Sequence, residues 1–173
     1  MLDTLGNLGD FIGGIAVVVT LIYLAVQVRQ NTLALKAASW QEVVSGARQA
    51  ANLRSDPAIA PAWAKGLSNY PNMRIQDVWG FNRALTDEAL FFQGVYALHR
   101  SRQLDDSVYR AYLKWFTSIL NTPGGKEWWV TIGRPIFVPE MVEEVDNNLE
   151  KGDFVDIRKL PGFGPDDWQD VRE

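Results

Sequence analysis

The feature that most constrains this chain is a run of 18 residues without a charge, Phe11 to Val28, reading FIGGIAVVVTLIYLAVQV. As a helix it is roughly 27 Å long, close to the ~30 Å hydrocarbon core of a bilayer. Leu8 and Gly9 extend it at one end, and Arg29 can snorkel at the other. Asp10 fits as an N-cap, where a carboxylate meets free N–H groups and the positive end of the helix dipole. The run therefore reads as a transmembrane helix over about residues 10–28.

Two competing readings are weaker. A cleaved signal peptide needs a basic start, a shorter apolar stretch and a small-x-small cleavage site. Here the start is acidic, with Asp3 and Asp10, and Val26-Gln27-Val28 is a poor cleavage site. A buried helix of a soluble protein usually keeps one polar face. Within this run Thr20 and Gln27 are almost the only polar side chains.

The flanks give a direction. Lys and Arg are absent before the run and follow it at Arg29 and Lys36. The positive-inside rule then places the N-terminus outside and the rest of the chain in the cytoplasm. The expected location is a membrane, with the helical domain on its cytoplasmic side.

Small and polar residues recur along the run. Gly9 and Gly13 form a GxxxG pair, and Ala16 and Thr20 continue the same face. Gln27, Asn31, Ala34 and Ala38 carry it past the apolar stretch. Such a face lets helix backbones approach and hydrogen-bond across a contact, so it is the candidate helix-packing or pore-lining surface. Gly and Ala are also simply common in membrane helices, which is the plainer explanation.

No proline or turn cluster interrupts the chain between Gln27 and Arg54. The span should continue as one rod of roughly 40 residues. Ser55-Asp56-Pro57 breaks it, with Asp56 as a cap and Pro57 opening a short helix to about Leu67. Asn69-Tyr70-Pro71-Asn72 reads as a loop. Val78, Phe81, Leu85, Phe92 and Tyr96 repeat at helical spacing and predict a helix from about Arg74 to Ser101, its apolar face widened by Phe91, Val95 and Leu98. A further helix from Asp106 to Leu120 places Val108, Tyr112, Trp115, Phe116 and Ile119 on one side. Thr122-Pro123 opens a short helix holding Trp128 and Trp129, which Arg134-Pro135 should end. Pro139 opens a last helix to about Leu149, and Gly152 is placed to terminate it.

The expected fold is thus all-α: one N-terminal transmembrane helix continuing as a long cytoplasmic rod, followed by a small domain of four to five helices. The divisions are 1–55 for the span and its extension, 56–152 for the helical domain, and 153–173 for an acidic, irregular tail. The share of charged residues, 22%, and of apolar ones, 47%, argue for a folded chain over a disordered one. Residues 140–173 carry eleven acids against four bases. No basic stripe with interleaved aromatics appears, which argues against a nucleic-acid partner. The absence of cysteine excludes disulfides and thiol chemistry.

The stretch Val19-Thr20-Leu21-Ile22-Tyr23-Leu24-Ala25-Val26-Gln27-Val28-Arg29-Gln30-Asn31-Thr32 resembles the start of a group of uncharacterised bacterial single-span membrane proteins. Leu104-Asp105, Thr122-Pro123-Gly124 and Trp128-Trp129 are similar to later parts of that group's pattern. The resemblance covers most of residues 10–150. It implies one N-terminal span and a helical domain, and it brings no activity and no site residue.

Signatures of chemistry fail one by one. Gly125-Lys126-Glu127 supplies only the GK of a phosphate loop. An EF-hand beginning at Asp146 would place Lys151 and Ile157 where glycine and glutamate are required. His99 shares a helical face with Glu88, but the two lie about 16 Å apart along one helix, too far for a direct hydrogen bond. A partly exposed histidine near a helix end is the simpler reading. Trp128 and Trp129 more often staple a helix to a core than anchor it at a membrane. The acidic tail reads as solvated, with a basic partner or weak divalent-ion binding as the alternative.

No cofactor and no metal are expected. The leading expectation is a non-enzymatic, membrane-anchored protein that self-associates through its N-terminal helix and presents a cytoplasmic domain to a partner. Its partners would be membrane lipid, other copies of itself and a protein bound by that domain. The alternative is a homo-oligomeric pore, lined by Thr20, Gln27 and Asn31, with Asp10 as a ring at the outer mouth. A third, an enzyme with a site built between subunits, would need a pocket joining Glu88, His99 and an arginine.

Overall fold

Leu2 to Ser55 form a single helix, α1, in the computed structural model, which describes residues 2–159. Among the described residues there is no strand, and the chain is all-α. It divides into two compact units, one up to Ser39 and one from Trp40 onward. The expected rod is therefore present as one continuous helix. It begins eight residues before Asp10, so Asp10 lies inside the helix and is not its N-cap. Leu2, Leu5 and Leu8 keep helical spacing ahead of it, and no proline intervenes to force a start at Asp10.

The first unit is the part of this helix up to Ser39. An 18-residue window in it reaches a mean hydropathy of 2.3, and none of that window is buried. A core helix of a soluble domain would hide such residues, so that reading fails for this chain taken by itself. It is one helix long and apolar enough to cross a membrane. Thr20 Oγ1 donates to the Ala16 carbonyl at 2.8 Å, and Thr32 Oγ1 to that of Val28 at 2.9 Å. Both hydroxyl donors are thus satisfied within the helix.

In the second unit the last turns of α1 precede α2 (Ala60–Asn69), a 3₁₀ turn (Tyr70–Asn72), α3 (Ile75–Arg100) and α4 (Asp106–Leu120). The chain leaves α1 through a turn in which the Asp56 carbonyl accepts from Ile59 and Ala60, both at 2.8 Å. Asp56 Oδ1 accepts from the Ala58 amide at 2.8 Å. Pro57 therefore sits in the turn, and Pro61 occupies the first turn of α2, a shift of three residues from the expected start. Pro61 loses nothing there, because first-turn amides have no partner within the helix.

The core is built on α3. Phe81, Leu85, Phe92 and Tyr96 are buried, as their spacing predicts, with Val95 beside them, while Val78 is only partly buried. Phe92 stacks on Phe116 of α4 with ring centroids 4.8 Å apart. The buried side of α4 runs through Tyr109, Leu113, Phe116 and Leu120. Val108, Tyr112 and Trp115, expected at its centre, lie at its edge, partly buried. On the exposed side of α4, Lys114 Nζ donates to Asp153 Oδ1 at 2.8 Å, a surface tie to a later segment of the chain.

α5 (Pro123–Trp128) starts at the expected cap, with the Gly125 amide donating to Thr122 Oγ1 at 3.0 Å. Arg134-Pro135 does not end this segment. A π turn over Trp129–Gly133 leads into α6 (Arg134–Ile136), and α7 follows (Pro139–Lys151). Successive residues of an α-helix point about 100° apart, yet Trp128 and Trp129 are both buried. The wider turn accommodates them, and Gly133 leaves room for the Trp129 ring. Pro135 then enters as a first-turn residue. Gly152 ends α7 at φ 73°, in the left-handed region, as expected.

The acidic tail is only partly irregular. Its described portion, 153–159, returns to α4: the Val155 amide donates to Ser118 Oγ at 2.8 Å, and Ile157 is buried. The rest of the expected tail lies outside the described residues.

Candidate functional site

Polar and chemically capable side chains gather in two places in the helical domain and along one line of α1. Gly9, Gly13, Ala16, Thr20, Gln27 and Asn31 fall within an arc of roughly 60° at 100° per residue. The spacing of Gly9, Thr20 and Asn31, and again of Ala16, Gln27 and Ala38, is eleven residues. That repeat keeps pace with an α-helix, so the line stays on one side. Ala16, Thr20 and Asn31 are exposed and Gln27 is partly covered. A β-carbon added at Gly13 would meet nothing within 4 Å. Asp10 lies next to the line in the helix backbone.

The first polar cluster of the domain centres on Glu88, which is 2% exposed in mid-α3. One carboxylate oxygen accepts from the Arg54 guanidinium, and the other from Trp115 Nε1 at 2.9 Å. The guanidinium carbon of Arg54 lies 5.8 Å from the ring centroids of both Trp63 and Trp115. Arg54 is thus held between two indoles and a carboxylate. Burial pulls its ionisation below the usual arginine range, and the nearby Asp87 opposes that pull. Guanidinium stays charged in proteins, so the shift marks a desolvated cation. Each carboxylate oxygen of Glu88 thus has a donor inside the domain.

The second cluster lies at the far end of α3. His99 Nε2 is 2.9 Å from Asp106 Oδ1, and the imidazole stacks on Tyr109 at 4.0 Å, nearly parallel. The His99 hydrogen bond, assisted by His99 and Arg110 charge, holds the Asp106 carboxyl below its usual range. Burial and the neighbouring Glu144 carboxylate push the Tyr109 hydroxyl far above the usual phenol range. Beside it lies a cleft of about 400 Å³, lined by Tyr96, Arg100, Glu140, Glu143, Glu144 and Lys151 among others. Its three carboxylates outnumber its two cations by one.

An enzymatic reading requires a pocket that joins Glu88, His99 and an arginine. The structure does not join them. Glu88 is paired with Arg54 and His99 with Asp106. Trp128 and Trp129 are both in the core, and Trp129 Nε1 donates to Asp146 Oδ1 at 2.8 Å. Among the described residues, no group of three or more His, Cys, Asp or Glu is placed to hold a metal ion. The Arg54–Trp63–Trp115 arrangement was not legible beforehand. Its members are 9 to 61 residues apart in sequence and share no motif.

Comparison with protein-family models, with curated proteins and with solved structures finds no match for this chain. The class the fold itself defines is an all-α protein with one N-terminal helix long and apolar enough to cross a membrane.

Proposed function

We propose that this chain is a non-enzymatic, membrane-anchored protein that self-associates through α1 and presents its helical domain on the cytoplasmic side. The observation that carries the reading is the apolar window of α1, with a mean hydropathy of 2.3 and no burial. A surface of that kind needs lipid or other helices around it. The satisfied hydroxyl of Thr20 fits a helix surrounded by hydrocarbon. The line from Gly9 to Asn31 gives copies a side on which to meet closely. Arg29 and Lys36 set the direction by the positive-inside rule, and the resemblance to bacterial single-span proteins suggests the inner membrane.

Mass measurement in mild detergent tests the association. An oligomer is expected for the native chain, and a shift toward monomer for Gly13→Leu. A monomer in both cases overturns the claim. The same line supports a pore as the second reading, because it carries the polar Thr20, Gln27 and Asn31. Five or more copies with that line inward would enclose an axis, with Asp10 at its outer mouth. Conductance in reconstituted bilayers that falls on Gln27→Leu favours the pore; its absence leaves close packing as the role of the line.

A further inference from the structure

The cleft beside Tyr109 is not explained by anchoring or self-association. It runs between the C-terminal end of α3 and one face of α7, with Leu113 of α4 in its wall, and holds about 400 Å³. Clefts that take small ligands begin at roughly 300 Å³. Glu140, Glu143 and Glu144 enter it from the first two turns of α7, and Arg100 enters from the last turn of α3. Lys151 stands at the other end of α7. Among the described residues, none of these five forms an ion pair. Opposite charges thus face one gap without closing it.

Two buried phenols lie at its base. Tyr96 and Tyr109 are 7% and 3% exposed, with ring centroids 6.4 Å apart. Burial raises the Tyr96 phenol above its usual range, Arg100 opposes the rise, and Glu144, Glu140 and Glu143 add to it, so four charges of the cleft act on one hydroxyl. Tyr109 Oη is buried and has no hydrogen-bond partner. The carboxylate that acts on it is Glu144, in the wall of the cleft. A buried hydroxyl without a partner is costly, and in a native fold it calls for an explanation. Glu140 and Glu144, one turn apart on α7, also repel each other. A ligand that brings positive charge to the carboxylates and an acceptor to the hydroxyl removes both costs.

We propose that this cleft binds a small free amino acid with a basic side chain, its carboxylate on Arg100 and the Tyr109 hydroxyl, its two cationic groups on Glu140, Glu143 and Glu144. A guanidinium meets a carboxylate through two parallel hydrogen bonds. The three carboxylates exceed Arg100 and Lys151 by one charge, and a ligand of net positive charge cancels that excess. A bare metal ion fits less well, because the two cations repel it and, among the described residues, no three ligands converge. A merely solvated charged face of α7 does not account for the unpartnered hydroxyl at the base of the cleft.

Calorimetric titration of the full chain in mild detergent with L-lysine tests the site, with n-butylamine and butyrate as single-charge controls at matched ionic strength. Saturable one-site binding of L-lysine is expected, about tenfold tighter than either control or better. Arg100→Gln and Glu144→Gln should each weaken it by about tenfold. Tyr109→Phe separates binding from a structural role. It should weaken L-lysine severalfold and leave the melting temperature unchanged or higher, because the hydroxyl it removes has no partner in the fold. A lowered melting temperature for Tyr109→Phe, with L-lysine affinity kept, assigns the hydroxyl to the fold and overturns the site. Absence of saturable L-lysine binding overturns it too. Equal affinities for L-lysine and n-butylamine overturn it in favour of a simple acidic face. All these residues lie in the helical domain, so the result stands apart from the anchoring reading.

Discussion

The guanidinium of Arg54, in the last turn of α1, donates to the carboxylate of Glu88 in the middle of α3, inside a sleeve formed by Trp63 and Trp115. This pair ties the end of the long helix to the centre of the domain. A buried ion pair is a weak net stabiliser, because both charges have lost water. Losing one partner is another matter, since the remaining charge stays buried and unpaired. Glu88→Ala is therefore expected to destabilise the domain by about 3–5 kcal/mol. Glu88→Gln, which keeps an oxygen for Trp115 and loses the charge, should cost less. Urea unfolding of the two variants, read by tryptophan fluorescence, separates the cases. Equal effects would show that the lost charge, and not the lost volume or the bond to Trp115, accounts for the cost at this position.

Two glycines predict opposite outcomes from the same substitution. A β-carbon on Gly124 would overlap the backbone carbonyl of Gly66, where α5 crosses α2. Backbone cannot swing aside as a side chain can. Gly124→Ala should cost on the order of 3 kcal/mol, the upper end for overpacking. Gly94 lies on the open face of α3, and a β-carbon there meets nothing within 4 Å. Gly94→Ala should stabilise the helix by about 0.5–1 kcal/mol through lower unfolded-state freedom. Thermal unfolding followed by circular dichroism checks both signs.

Asp77 carries a pH dependence whose sign follows from its surroundings. The hydrogen bond from Arg74 holds its carboxyl below the usual range, and Lys65 adds to the effect. The folded-state value is thus depressed relative to the unfolded chain. The stability it contributes is fully present above the ordinary aspartate value of about 3.9 and is lost as pH falls through the folded value. Asp77→Asn should cost a few tenths of a kcal/mol, up to about 1, at neutral pH, as for other exposed pairs. That difference should vanish below the carboxylate range. A difference that persists in acid would mean the carboxylate's charge is not what stabilises the start of α3.

How far the sequence carried can be judged residue by residue. The helices were legible where apolar spacing and breakers agreed, as at Phe81–Leu85–Phe92 and at Gly152. They were misread where local signals conflict with tertiary packing. Asp10 has the chemistry of a cap, but nothing before it stops a helix. Pro135 has the chemistry of a stop, but two adjacent buried tryptophans required a wider turn that admits it. At the end of α3, Arg102 takes a left-handed φ of 60° in a position where glycine would be the expected signal. That the α1 residues share a side follows from the periodicity of a single helix. The Arg54–Glu88 pair was not legible, because it depends on how separate helices cross.

The described part of the acidic tail gives the last prediction. Composition alone suggests that residues beyond Gly152 are solvated and dispensable. The structure buries Ile157 to 1% exposure and pins the segment through Val155 and Asp153. A buried isoleucine truncated to alanine loses transfer energy and leaves a cavity. Ile157→Ala should cost about 2–4 kcal/mol, comparable to positions within α3 or α4. Val155→Ala, at a side chain 43% exposed, should cost well under half of that. If denaturant midpoints for the two variants coincide with that of the native chain, the segment does not dock in solution. If Ile157→Ala alone falls, the tail's first turn belongs to the core, and the domain reaches beyond the boundary at Gly152 that its glycine and acids suggest.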